Sequence, residues 1–125
     1  MSKASRETAS EHVEVEGYEG HFENFGDWTV GFERYTADAD LAPLFVGLPD
    51  NRCQCIHIGY VIEGKLRFTY GDGTEEVYEA GDAYYAPPGH TPHLYAGSRV
   101  VEFSPTEELG RTMEVVTRNM EAAGG

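Results

Sequence analysis

From residue 13 the run VEVEGYEGHF alternates apolar and charged positions, the period-2 signature of a strand with one buried face, and predicts a first short strand over 13–18. WTVGFERY (28–35) alternates more cleanly and puts Trp28, Val30, Phe32 and Arg34 on one side. Residues 36–50, punctuated by Pro43, Gly47 and Pro49, are expected as a loop with at most one short turn. A loop of that length is uncommon without a task such as covering a pocket. Strand signals are denser afterwards: CQCIHIGYVIE (53–63) and KLRFTY (65–70) flank Gly64, GDG (71–73) turns the chain, and TEEVYEA (74–80) returns. Gly81 and Asp82 lead into AYYA (83–86), and APPGHTP forms a stiff corner ahead of HLYA (93–96) and RVVEF (99–103). Seven or eight short strands separated by turns predict an all-β barrel or sandwich.

The period changes at the end. Ser104 suits the cap of a helix starting at Pro105, with Glu107 completing a capping box. Leu109, Met113, Val116 and Met120 follow at spacings of 4, 3 and 4, one apolar stripe for packing on the barrel. The expected organisation is a flexible arm over 1–12, a barrel over 13–104 and a helix over 105–122, with 122–125 fraying. A chain of 125 residues suits one domain.

Charge narrows the partners. Acidic residues outnumber basic ones 22 to 9, a net charge of −13 that repels phosphate backbones and anionic lipid, so neither nucleic acid nor membrane is expected. No stretch approaches the roughly 20 apolar residues of a membrane helix, and the polar start lacks a signal-peptide core. A cytoplasmic location with reduced cysteines follows as the expectation. A Cys53–Cys55 disulfide would span about 6.5 Å between Cα atoms along a strand, near the upper limit for a bridge.

Two segments together resemble the cupin family. Its first motif, His-x-His, three or four residues, Glu, six residues, Gly, is similar to the segment closed by Gly64. His57 then falls in the acidic slot, and Asn51 and Cys53 fall in the two histidine slots. Its second motif, Gly, five residues, Pro-x-Gly, two residues, His, begins in GDAYYAPPGHTPH with Gly81, Pro87 and Gly89. Its histidine slot falls on Pro92, with His90 two before and His93 one after. The resemblance, over roughly residues 45–103, is greatest to short single-domain bacterial cupins with a variant C-x-C-x-H first motif. It implies an antiparallel double-stranded β-helix, or jelly roll, and commonly a dimer.

An extended chain would put Cys53, Cys55 and His57 on one face, where cupins bind metal. These three, with His90 and His93, are the candidate ligands of a divalent ion, zinc above all, with Fe(II) or copper as alternatives. The competing reading is ordinary packing of buried cysteines and a hydrogen-bonded histidine. Between the two later histidines, strand position favours His93. Trp28, Tyr60, Tyr85 and Tyr95 are candidates to line a cavity for a small molecule, and an inward Arg34 would read a carboxylate. Glu33, Arg67 and Glu102 are expected to face water. His12 and His21 carry no motif. The expected function is a metal-dependent enzyme on a small organic molecule, by cyclase, isomerase or oxygenase chemistry. The alternative is a binding module with a structural metal or none. A homodimer is expected, with the first strand or the final helix crossing to the partner.

Overall fold

The computed structural model describes residues 3–124. Met1, Ser2 and Gly125, assigned above to the arm and the fraying end, lie outside the described residues. The chain runs through β1 (Glu11–Val15), β2 (Tyr18–Phe25), β3 (Trp28–Tyr35), β4 (Ala39–Asp40) and β5 (His57–Glu63). It continues with β6 (Lys65–Tyr70), β7 (Glu75–Glu79), β8 (Ala83–Ala86), β9 (His90–Leu94) and β10 (Ser98–Pro105), and ends in α1 (Thr106–Gly124). A six-stranded sheet, β1-β2-β3-β10-β5-β8, faces a four-stranded sheet, β4-β9-β6-β7, with every neighbouring pair antiparallel. This is the expected all-β jelly-roll barrel with a C-terminal helix.

Alternation decides what fills the barrel. Tyr35, Val61 and Val100 from the larger sheet meet Leu66, Phe68 and Leu94 from the smaller one in a single buried cluster. The Phe68 ring stands edge-on to both Tyr78 and Tyr84, the favoured arrangement for aromatic quadrupoles. Gly64 turns the chain between β5 and β6 at φ 76°, and a Cβ there would come within 2.8 Å of the Ser98 Cα. Glycine is needed on both counts, conformation and space.

Four expectations change. The stretch expected as one strand at 13–18 is a hairpin, turned at Gly17 with φ 85°, because the alternation runs unbroken through a glycine that reverses the chain. Residues 36–50 hold β4, one whole 3-10 turn, Ala42–Phe45, and the start of a second, Pro49–Asn51, and Leu41, Leu44 and Phe45 close one end of the barrel. Ser104 belongs to β10, so α1 starts at Thr106, whose backbone N–H donates to the Asp27 carbonyl (2.8 Å). Within the expected arm, Arg6 pairs with Glu19 and Ser10 bonds Glu23, while β1 begins at Glu11.

The helix packs its Leu109, Val116 and Met120 face on Phe45 and Leu48. Asn119 ties it down by donating to the carbonyls of Leu44 (2.7 Å) and Val46 (2.8 Å). Thr112, not Met113, is the buried member of the stripe, because residue 112 faces the barrel end where Cys53 lies. No helix among the described residues is long and apolar enough to cross a membrane.

Candidate metal centre

Strand β5 starts at His57, so the chain before it is not extended as a strand. Cys53 instead makes an isolated bridge to His90: its N–H donates to the His90 carbonyl (2.8 Å), and its own carbonyl accepts from Gly89 (2.8 Å). This locks Cys53 beside the first residue of β9. His57 enters from the first residue of β5. The ligating atoms of Cys53, His57 and His90 lie within 4.8 Å of one another, and all three residues are buried.

Hydrogen bonds orient both imidazoles. His90 Nδ1–H donates to the Pro87 carbonyl (2.8 Å), a contact only a protonated Nδ1 can make. His57 Nδ1 hydrogen-bonds Ser104 Oγ (2.7 Å) and lies 3.2 Å from Glu102 Oε1, acceptors that suit a protonated Nδ1. The Nε2 of His90 therefore carries the lone pair, as does that of His57 with its Nδ1 protonated. His57 Nε2 lies 3.7 Å from Cys53 Sγ. Donors on a tetrahedral zinc, with bonds of about 2.3 Å to sulfur and 2.0 Å to nitrogen, stand about 3.6 Å apart. Burial holds both imidazoles neutral, pushing each down to about 4, with the His57 ring adding to the effect on His90. Neutral imidazole is the ligating form. Burial raises the Cys53 thiol, opposed by a hydrogen bond with Thr112, so the thiol keeps its proton until a cation displaces it. The donor set fits a divalent ion of the zinc type.

The cluster opens into a cavity of about 210 Å³. Its walls are mostly apolar, Val13, Val15, Phe22, Leu66, Phe68 and Leu94 among them, interrupted by Glu33 and Glu102. A neighbouring cleft of about 370 Å³ shares Val13, Phe22, Glu33 and Glu102 with it. Both carboxyls sit inside the barrel and each accepts from tyrosine. Tyr18 and Tyr35 donate to the two oxygens of Glu33 (3.0 and 3.1 Å), and Tyr84 donates to Glu102 Oε2 (2.5 Å). Burial raises both above the ordinary carboxylate range, and the charge of Glu102 raises Glu33 further. The pair titrates as a unit and holds a proton near neutrality.

The other expected site residues lie elsewhere. Cys55 packs among Phe45, Leu48 and Val116, since the irregular backbone at 54–56 breaks the alternation assumed for C-x-C-x-H. Both cysteines are free. On β9, His90, Pro92 and Leu94 line the cavity, which turns His93 to the other face, against Tyr95 (4.9 Å between ring centroids). Thr29, Gly31 and Glu33 line the neighbouring cleft, and Glu33 and Tyr35 line the cavity. Trp28 and Arg34, one residue out of phase, therefore lie on the outer face of β3. Tyr60 and Tyr85 are likewise exposed, with Gly59 and Tyr84 the buried neighbours. Tyr95 lies beneath the Lys65 ammonium (4.6 Å). Sequence reasoning missed Glu33, Tyr84, Glu102, Ser104 and Thr112. Counting by two from Ser98 along β10 passes Val100 and reaches Glu102 and Ser104, a signal the sequence already held.

Residues 52–103 match the family model described as the cupin domain, a span that contains Cys53, His57, His90 and Glu102. The matched segment is similar to a cupin domain. Solved cupin-fold structures extend the likeness over most of its length. An RmlC-like cupin from Shewanella frigidimarina superimposes with a TM-score of 0.59 at 18% identity, covering 84% of this chain and 91% of that one. A protein of unknown function from Rhizobium leguminosarum gives 0.59 at 20% identity, covering 83% and 94%. The polyketide cyclase RemF from Streptomyces resistomycificus gives 0.58 at 14% identity, covering 85% and 80%. A comparison with curated proteins found no match in sequence. At these identities the likeness is one of fold, and the chemistry of this chain has to be argued from its own side chains.

Proposed function

We propose that this protein is a metal-dependent enzyme acting on a small organic molecule by proton-transfer chemistry of the cyclase or isomerase type. The carrying observation is the convergence of Cys53, His57 and His90 at the wall of a cavity that also holds two buried carboxyls. Cys53, His57 and His90 would hold the ion, with zinc preferred for one thiolate and two imidazoles. The chemistry a divalent ion supplies when bound is polarisation of a substrate oxygen. The rest belongs to the chain. The apolar walls exclude water and favour an uncharged substrate. Glu102, held by Tyr84 and set beside His57, takes or returns a proton at Oε1. Glu33 serves as its reservoir.

Two measurements test the reading. Purified protein is expected to hold about one divalent ion per chain, and cobalt substitution to give a thiolate charge-transfer band that disappears in Cys53→Ala. In deuterated water, enolisable carbonyl compounds are expected to exchange their α-hydrogens faster with wild type than with Glu102→Gln, by about 100-fold. Protein that takes up neither zinc nor cobalt removes the proposal. Four protein ligands and no exchangeable water would assign the ion a structural role.

A second copy of the chain is the proposed partner. Ile58, Tyr60 and Ile62 run along the outside of β5, flanked by Tyr85 on β8 and Phe103 on β10, and all are 37–55% exposed. A contiguous apolar face of this kind marks an interaction surface, and a two-fold axis lets one patch cover itself. Light scattering is expected to report two chains for wild type and one for Tyr60→Glu. Equal masses for the two proteins would refute the assignment.

A further inference from the structure

The outer face of the β1–β2 hairpin carries a second group of metal-type donors, remote in chemistry from the barrel. His12 and His21 are directly opposed in register, and their rings stack with centroids 4.3 Å apart and planes 9° apart. Glu19 lies two residues before His21 on the same face. One carboxylate oxygen, Glu19 Oε2, lies 3.6 Å from His12 Nε2 and 3.9 Å from His21 Nε2. Arg6 takes the other oxygen, Oε1, and so leaves Oε2 to the imidazoles. Glu14 adds a second carboxylate at 4.0 Å from His12 Nε2.

Two features single this group out from ordinary surface charge. The separations are too long for hydrogen bonds. They approach the roughly 3.3–3.5 Å between nitrogen and oxygen donors on one tetrahedral zinc, and closing them onto one ion requires the stacked rings to turn so that both Nε2 lone pairs point at it. In addition, His21 Nε2 is shielded from solvent and has no hydrogen-bond partner. A buried polar atom left unsatisfied is costly, and a ligand is one of the few things that explains it. His12 remains about half exposed, so an ion has an entry path. The net charge of −13 raises the local concentration of cations around the whole surface.

We propose that His12, Glu19 and His21 form a second binding site for a zinc-type divalent ion, and that the ion staples β1 to β2. The staple has a consequence for the barrel. β1 is an edge strand that pairs only with β2 among the described residues. Its opposite face presents Val13 and Val15 to the central cavity. An ion bound on the outer face holds in place the strand that walls the inner one. It binds the paired hairpin and not the separated strands, so it stabilises pairing by mass action.

The test uses untagged full-length protein and Zn²⁺ alone. Calorimetric titration of wild type, His21→Gln and His57→Ala is expected to show one equivalent lost in His21→Gln and retained in His57→Ala. The remaining affinity at the hairpin should fall at least about tenfold. In wild type, the imidazole nitrogens of His12 and His21 are expected to shift in ¹⁵N spectra as Zn²⁺ is added. The amides of residues 11–15 should exchange more slowly, a protection absent in His21→Gln. Identical stoichiometry and affinity in wild type and His21→Gln would overturn the proposal, as would unshifted His12 and His21 signals at saturating Zn²⁺. Neither result depends on whether Cys53, His57 and His90 bind an ion, because His57→Ala reports on that centre separately.

Discussion

His90→Ala is expected to weaken zinc binding at the barrel centre by about 100-fold or more, while His93→Ala leaves it within about twofold. The contrast follows from the parity of one five-residue strand. β9 begins at His90, which faces inward with Pro92 and Leu94, and the intervening His93 faces away. His90 is also the better-prepared ligand, because the Pro87 carbonyl fixes its Nδ1 proton and frees Nε2. Losing the ring leaves Cys53 and His57 as a two-ligand site. His90 is 1% exposed and stacks on Phe68, so its removal also opens a cavity. His57→Ala tests the same centre from another strand and should give a comparable loss. Isothermal titration with zinc, beside near-UV circular dichroism to verify the fold, reads both effects. Equal affinities for wild type and His90→Ala would sink the three-residue centre, and a loss confined to His93→Ala would move it to the other face of β9.

How far the sequence carried this reading depends on where the chain is regular. The glycine and proline framework, Gly64, Gly81, Pro87 and Gly89, marked the turns that close the barrel, because a residue free to take positive φ or one with fixed φ constrains the backbone locally. Strand alternation was legible too, but its phase was not. Trp28 and Arg34 were placed with the cavity when Glu33 and Tyr35 are its true neighbours, a shift of one residue that inverts every side chain. Charge misled at Glu33 and Glu102, since an acidic residue on a strand usually faces water; here Tyr18 on neighbouring β2 and Tyr35 on β3 itself satisfy Glu33, and Tyr84 on β8 satisfies Glu102. Cys55 failed for a different reason: the C-x-C-x-H spacing implies one face only if the backbone is extended, and residues 54–56 are irregular. The partnership of Cys53 with His90 is tertiary, made by a bridge across 37 positions that no local pattern encodes.

Glu33→Gln is expected to reverse its effect on stability with pH. The Glu33 carboxyl is raised from 4.5 to about 8, first by burial and then by the charge of Glu102. A group whose folded value lies above its unfolded one contributes stability that is complete below the unfolded value, near 4.5, and is lost as pH rises through about 8. Glutamine cannot ionise and escapes that loss. The gain above pH 8 should be on the order of 3 kcal/mol, allowing for partial solvent access to the side chain. Against it stands one tyrosine hydrogen bond, because Tyr18 and Tyr35 both donate to Glu33 and an amide nitrogen accepts from neither. That loss costs about 1 kcal/mol at every pH. Glu33→Gln should therefore melt a few degrees below wild type at pH 4 and roughly 8 °C above it at pH 9, in metal-free protein with chelator present. Taking the difference between the two proteins cancels the repulsion among the other acidic groups, which both share, and leaves the Glu33–Glu102 pair as the part that differs. Melting curves that run parallel from pH 4 to pH 9 would mean that Glu33 is already ionised in the folded barrel. The proton reservoir beside Glu102 would then not exist, and the acid–base half of the proposed chemistry would fall to Glu102 alone.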